Sequence, residues 1–194
     1  MSYEKYSTDA LVCGSFLRNT SDKTYLLFTR EAGMVRAVAQ SVREEKSKQR
    51  QALQDFSLVR VSLIPGKAGW RVAGVEPQEN LFLRAESRAV RGALRSIVQF
   101  LRRFAGSEHA EPEVFDEVMS LLSLLEQVPE AELDDIVLLT EFRLLNYLGY
   151  IETKAAFTAV LTAGDVRAAK AALTPDLAPA LRKAVEQAQT ASHL

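Results

Sequence analysis

Five arginines are spaced to act together: Arg84, Arg88, Arg91, Arg95 and Arg102 fall at i, i+4, i+7, i+11 and i+18. At about 100° per residue they occupy about 60° of one helix surface, centred about 100° from a neighbouring apolar stripe. That stripe is Val90, Leu94, Ile97, Val98, Leu101 and Phe104. Like charges at i, i+4 oppose one another by a few tenths of a kcal/mol when unpaired, so an anion belongs beside them. Two uses compete. The arginines bind phosphates or an acidic peptide in a groove at the edge of the packed face, or they pair with acidic helices of the same chain.

A second basic feature is the polar run Arg43-Glu44-Glu45-Lys46-Ser47-Lys48-Gln49-Arg50. Long cationic side chains on an adaptable loop are what phosphate contacts require. Glu44 and Glu45 dilute the local field, so a plain solvated loop is the alternative. Phe16, Tyr25, Phe28, Phe56 and Trp70 could stack on unpaired bases, although inward aromatics also fill small barrels. Trp70, close to Lys67 and Arg71 at a turn, is the best stacking candidate.

Catalysis is poorly supplied. His109 and His193 lack neighbours at metal-ligand spacing, and no GxSxG, GxxxxGK[ST] or GxGxxG occurs. The acidic run Glu130-Ala131-Glu132-Leu133-Asp134-Asp135 opens a helix, where carboxylates favour the dipole. Cys13 is the only cysteine, so no internal disulfide or cysteine metal clamp can form. The expectation is a protein that is not an enzyme and has no cofactor.

Charge is segregated along the 194 residues. Residues 1–75 carry a net +5 and 76–107 a net +3, whereas 108–152 carry 1 Lys/Arg against 12 Asp/Glu; the whole chain is −1. A basic front half suggests a polyanion partner. No stretch approaches the ~20 apolar residues of a membrane span. Met1–Tyr6 lacks the layout of a signal peptide, which points to a cytoplasmic protein.

The elements that must position these residues follow from periodicity. Ala10–Arg18, Tyr25–Arg30, Met34–Val42, Leu58–Ile64 and Trp70–Glu76 read as strands. Val59, Val61 and Leu63 share one face of the fourth, with Arg60 and Ser62 on the other. Pro65–Gly69 is a hairpin turn. Five short strands without an intervening helix predict a small OB-like barrel. From Leu81 the period becomes helical: one helix ends at Gly106-Ser107, a second opens near Pro112, and a third runs from Leu133 to Leu148. Shorter pieces follow at 153–162 and 165–173, with Asp165 as an N-cap, then a last helix from Thr174-Pro175 to about Gln189. The fold class is therefore α+β: a five-stranded OB-like β-barrel over residues 1–78, then an all-α helical bundle over 79–194.

Three passages, in order, resemble the RecO recombination mediators. Asp9–Val12 followed by Thr24–Arg36 is similar to that family's Phe-Thr passage, with a glycine shortly afterwards, leading into the next strand. Leu53-Gln54-Asp55-Phe56-Ser57 resembles its Leu-Gln-Pro-Phe, with Asp55 in place of proline. Glu141–Tyr150 resembles the helix ending in Leu-Gly-Tyr, here Leu148-Gly149-Tyr150. The resemblance covers roughly residues 8–150. Many family members carry a zinc-binding cysteine segment after Leu-Gly-Tyr; this chain has no cysteine beyond Cys13, so zinc is not expected.

The resemblance implies a DNA repair and recombination mediator that binds single- and double-stranded DNA and promotes annealing. Its implied partners are RecR, the acidic C-terminal tail of single-stranded-DNA-binding protein, and RecA, which it helps to load. On that reading Arg36, Arg43, Lys46, Lys48, Arg50, Lys67, Trp70 and Arg71 contact DNA, and Arg88, Arg91, Arg95 and Arg102 hold the acidic tail. Three alternatives remain: an adaptor of the same fold without DNA binding, an OB-type RNA-binding protein, or a metal-dependent hydrolase using the acidic run.

Overall fold

The computed structural model describes residues 5–66, 69–105 and 112–192. They form two compact units, Met1–Ala85 with Ala105–Phe115, and Glu86–Phe104 with Asp116–Leu194.

The first unit is a closed barrel of β1 (Tyr6–Leu17), β2 (Lys23–Thr29), β3 (Gly33–Ala39), β4 (Ser57–Gly66) and β5 (Gly69–Asn80), in the order β1-β2-β3-β5-β4. Alternation decides what fills it. Val59, Val61 and Leu63 of β4 point inward and meet Ala10, Val12, Tyr25, Leu27, Val35, Ala37, Ala39, Leu53 and Val72, while Arg60 between them is exposed. Neighbouring strands pair antiparallel, apart from a short parallel contact, Ala37↔Trp70 and Val38↔Arg71. Register shifts between Val12 and Gly14 on β1, and at two points of the β4–β5 ladder, bend the strands. Such bulges add the local twist that closure needs. This is the OB-type barrel expected from the strand count. Outside the barrel, the Phe28 ring packs on Phe115 with centroids 5.4 Å apart.

One element goes beyond the expected strands. A five-residue helix, α1 (Lys48–Ala52), lies between β3 and β4 and buries Ala52. The run 43–50 therefore is a loop only up to Ser47. A second difference concerns the helix expected to run on from Leu81. It is two helices, α2 (Leu81–Arg84) and α3 (Arg88–Phe104). The Asn80 side chain accepts from Leu83 N at 3.0 Å, and Ser87 Oγ accepts from Val90 N at 3.1 Å. Two competing N-caps, with Ala85 extended between them, split the helix. Arg84 consequently leaves the arginine row, and pairs with Glu79 instead.

The second unit is helical. Its elements are α3, α4 (Pro112–Leu124, from Asp116 on), α5 (Leu133–Tyr147), α6 (Thr158–Leu161), α7 (Val166–Ala172) and α8 (Leu177–Ala191). The apolar stripe of α3 is buried as its period requires. Gly149, at φ 81°, ends α5: Tyr150 N donates to Leu145 O at 2.8 Å and Gly149 N to Asn146 O at 3.0 Å. That pair of bonds is a glycine C-cap. Asp165 caps α7 by accepting from Ala168 N at 2.7 Å. On α8, Leu181, Val185 and Ala188 are buried. Among the described residues no helix is long and apolar enough to cross a membrane.

Candidate nucleic-acid interface

Two grooves are cut into the barrel unit on either side of the turn between β1 and β2. The larger encloses about 1120 Å³ and is lined by Lys23, Arg43, Arg50, Phe56, Phe82 and Leu83 among others. The smaller, about 620 Å³, lies between the β1–β2 turn and the β4–β5 hairpin, and is lined by Arg18, Asp22, Gln40, Trp70 and Arg71 among others. In OB-type barrels the loops joining strands 1–2 and 4–5 are where oligonucleotides and oligosaccharides bind.

The smaller groove sets an aromatic ring beside guanidinium groups. Trp70 is half-buried and stands edge-on to Tyr6, with centroids 5.4 Å apart. Arg71 is exposed and donates to Gln40 Oε1. The turn ahead of Trp70 is set by Gly69 at φ 99°, a left-handed conformation that favours glycine.

The larger groove has an unusual wall. Phe56 adopts φ 68°, which an aromatic residue takes only under constraint from its surroundings. The constraint is visible: Phe56 N donates to Val12 O at 2.8 Å, Leu81 N donates to Phe56 O at 3.1 Å, and the ring stacks on Phe82 at 5.1 Å. Leu17 and Leu83, at 70% and 71% exposure, leave apolar surface beside the cations Lys23, Arg43 and Arg50. Cations next to apolar surface suit a ligand that is both anionic and flat-faced.

A hydrogen-bonded clip joins the two grooves. Asp22 Oδ1 accepts from Ser41 N at 2.8 Å, and Oδ2 accepts from Asn19 Nδ2 at 3.0 Å. Asn19 Oδ1 in turn accepts from Ser21 N at 2.9 Å and Asp22 N at 2.7 Å. Arg43 completes the clip, donating from its main-chain N to Ser21 O at 3.0 Å and from Nη1 to Asn19 O at 3.1 Å. The Ser41 amide, and then Asn19, hold the Asp22 carboxyl below its ordinary range.

Sequence comparison settles the family. Residues 1–71 match the family described as recombination protein O N terminal. The chain is 34% identical over 148 residues to a DNA repair protein RecO of Desulfitobacterium hafniense, covering 75% of this chain and 52% of that protein. It is 30% identical over 146 residues to the DNA repair protein RecO of Dehalococcoides mccartyi, with 75% and 56% covered. A third such protein, from Myxococcus xanthus, is 27% identical over 124 residues, with 63% and 51% covered. The chain belongs to the RecO family. It spans about half the length of the curated RecO relatives it matches.

Within this RecO-family chain the residues singled out from sequence separate by place. Arg43 and Arg50 line the larger groove, and Trp70 and Arg71 the smaller. Lys46 and Lys48 are exposed, Lys46 on the loop and Lys48 at the start of α1, and Arg36 is exposed on β3. Lys67 lies outside the described residues, as do His109 and His193. Sequence reasoning passed over Lys23, Arg18, Phe82 and Leu83. Lys23 and Arg18 sit at strand ends with no charged neighbours of like sign to mark them, and become groove walls only when the barrel closes.

In the helical unit, Arg88, Arg95 and Arg102 are exposed on α3 and Arg91 is partly buried. They do not line that unit's groove of about 810 Å³. Its α3 wall is the small-residue face Ala89, Gly92, Ala93 and Ser96, opposed by Glu141 of α5 and by Arg182, Glu186 and Gln189 of α8. Burial pushes the Glu141 carboxyl up to about 7, against a hydrogen bond from Gln189 Nε2 at 3.2 Å that lowers it. The acidic run supplies a 3-10 turn (Glu130–Glu132) and the first turn of α5. Among the described residues no group of three or more His, Cys, Asp or Glu is placed to hold a metal ion.

Proposed function

We propose that this protein acts in DNA repair by binding DNA on its barrel unit, as a mediator rather than a catalyst. The observation that carries the reading is the pair of cation-lined grooves flanking one turn of an OB-type barrel: Lys23, Arg43 and Arg50 on one side, Arg18, Trp70 and Arg71 on the other. Affinity comes from phosphate contacts and carries no sequence preference. Arg36, Lys46 and Lys48 extend the cationic surface, and Lys67 is a further proposed DNA contact. Single- and double-stranded DNA both offer the phosphates; unpaired bases add stacking on Trp70. On the helical unit, the row Arg88, Arg91, Arg95 and Arg102 is the proposed contact for the acidic tail of single-stranded-DNA-binding protein. RecR and RecA complete the mediator reading, which also includes strand annealing.

The test is fluorescence anisotropy of labelled single- and double-stranded DNA with the full chain at two salt concentrations. Tight binding at low salt that weakens steeply as salt rises, whatever the sequence, is the expected result. No binding at low salt overturns it, and leaves the adaptor of the same fold as the reading to pursue.

A further inference from the structure

Asp22 places a carboxylate in the middle of a surface read as anion-binding. It lines the smaller groove with Arg18 and Arg71, where its charge opposes any polyanion. Its hydrogen bonds point to a second role. Both carboxylate oxygens are engaged: one takes the Ser41 amide, the other the Asn19 side chain. Ser41 is held at φ 50°, a left-handed conformation that a serine seldom adopts, immediately before the loop that carries Arg43 and Lys46 and leads into α1 at Lys48. Two residues further on, Arg43 returns to the same turn through Ser21 O and Asn19 O.

The turn and the start of the basic loop are thus pinned to each other at three points, Ser41 N to Asp22, Arg43 N to Ser21 and Arg43 Nη1 to Asn19. A pinned loop arrives at its ligand with its cations placed, whereas a free one must lose conformational entropy on binding.

We propose that Asp22 and Asn19 are positioning residues that hold the basic loop in register with the two grooves, so that DNA binding depends on their hydrogen bonds even though the charge of Asp22 opposes it. The inference rests on the DNA-binding reading above. Charge and position give opposite signs for the same substitution. If Asp22 acts by charge alone, removing it strengthens binding. If it acts by position, removing its acceptor oxygens weakens binding.

The experiment measures affinity for labelled single-stranded DNA across a salt series, with thermal unfolding in parallel, on four variants of the full chain. Asp22→Ala and Asn19→Ala should each weaken binding several-fold and flatten the dependence of log K on log salt. For single-stranded DNA that slope falls by about 0.7 for every phosphate the protein no longer neutralises. Asp22→Asn keeps an oxygen for the Ser41 amide, and should recover the binding that Asp22→Ala loses. Asn19→Ala changes no charge, so its loss of affinity has no electrostatic source; it also stands alone if Asp22→Ala fails to fold. Arg50→Glu tests the underlying reading. If Arg50→Glu weakens binding while Asn19→Ala and Asp22→Ala do not, the positioning role falls and the DNA site stands. If Arg50→Glu binds like the unaltered protein, the segment running from the loop into α1 is not a DNA contact and both fall.

Discussion

Arg143 Nε donates to Glu117 Oε1 at 2.6 Å, with the two side chains only 13% and 18% exposed. The same guanidinium reaches the carbonyls of Val160 and Ala163 from Nη1, each at 2.8 Å. Arg143 is the only Lys or Arg between residues 108 and 152, and it joins α5 to α4 and to the end of α6. Breaking a buried pair from one side leaves an uncompensated charge and costs about 3–5 kcal/mol. This pair is partly buried, so Arg143→Ala should destabilise by less than that, about 2–3 kcal/mol, in denaturant unfolding. Arg143→Lys, with a point charge instead of a planar fork, should recover part of it. An Arg143→Ala variant as stable as the original would show that the clamp adds nothing net.

The cationic segment running from the loop into α1 makes the sharpest functional prediction. Lys46, Lys48 and Arg50 are exposed, so changing all three to Glu leaves the core untouched. The triple variant should lose most of its DNA affinity at low salt and keep its unfolding midpoint. Unchanged affinity would remove that segment from the site.

Trp70 is the only tryptophan, which makes it a reporter for the smaller groove. Its emission should change on adding DNA and return as salt displaces the phosphates. Saturating DNA that leaves the emission unaltered would place the ligand elsewhere.

Glu141 gives a pH signature to stability. Its carboxyl titrates near 7 in the folded chain, because burial disfavours the charged form, against 4.5 ordinarily. The folded state therefore holds this proton more tightly than the unfolded one. Below about 4.5 the group is protonated in both states and costs nothing; as pH rises through about 7 the folded state must ionise it in a desolvated place. Glu141→Gln should match the original stability below that window and exceed it above, by up to about 3 kcal/mol. Parallel stability curves across the whole range would contradict the assignment.

Much of the barrel is legible in the residues. Val59, Val61 and Leu63 alternate cleanly because one face of β4 is dry and the other wet. Gly149 and Asp165 announce helix ends because capping is local chemistry. The break after Arg84 is harder to read. Asn80 and Ser87 have ordinary helix propensities, and only their side-chain bonds show that each starts a helix. The clip is harder still. Asn19-Thr20-Ser21-Asp22-Lys23 reads as a turn, but the amide that Asp22 holds belongs to Ser41, on the far side of β2 and β3. The stacking of Phe56 on Phe82 likewise depends on barrel closure, which no local window contains.

Among the described residues, β3 and β5 meet through two registered pairs, Ala37↔Trp70 and Val38↔Arg71, whereas β4 and β5 share ten. A cylinder zipped firmly along four seams and lightly along the fifth breathes at the fifth. Whichever amide protons of Trp70 and Arg71 bond toward β3 should therefore escape to solvent sooner than those bonded across the β4–β5 ladder. Both residues wall the smaller groove. A strand of DNA seated there would lie across the opening like a staple, and its arrival would be recorded as a slowing of exchange along that one edge.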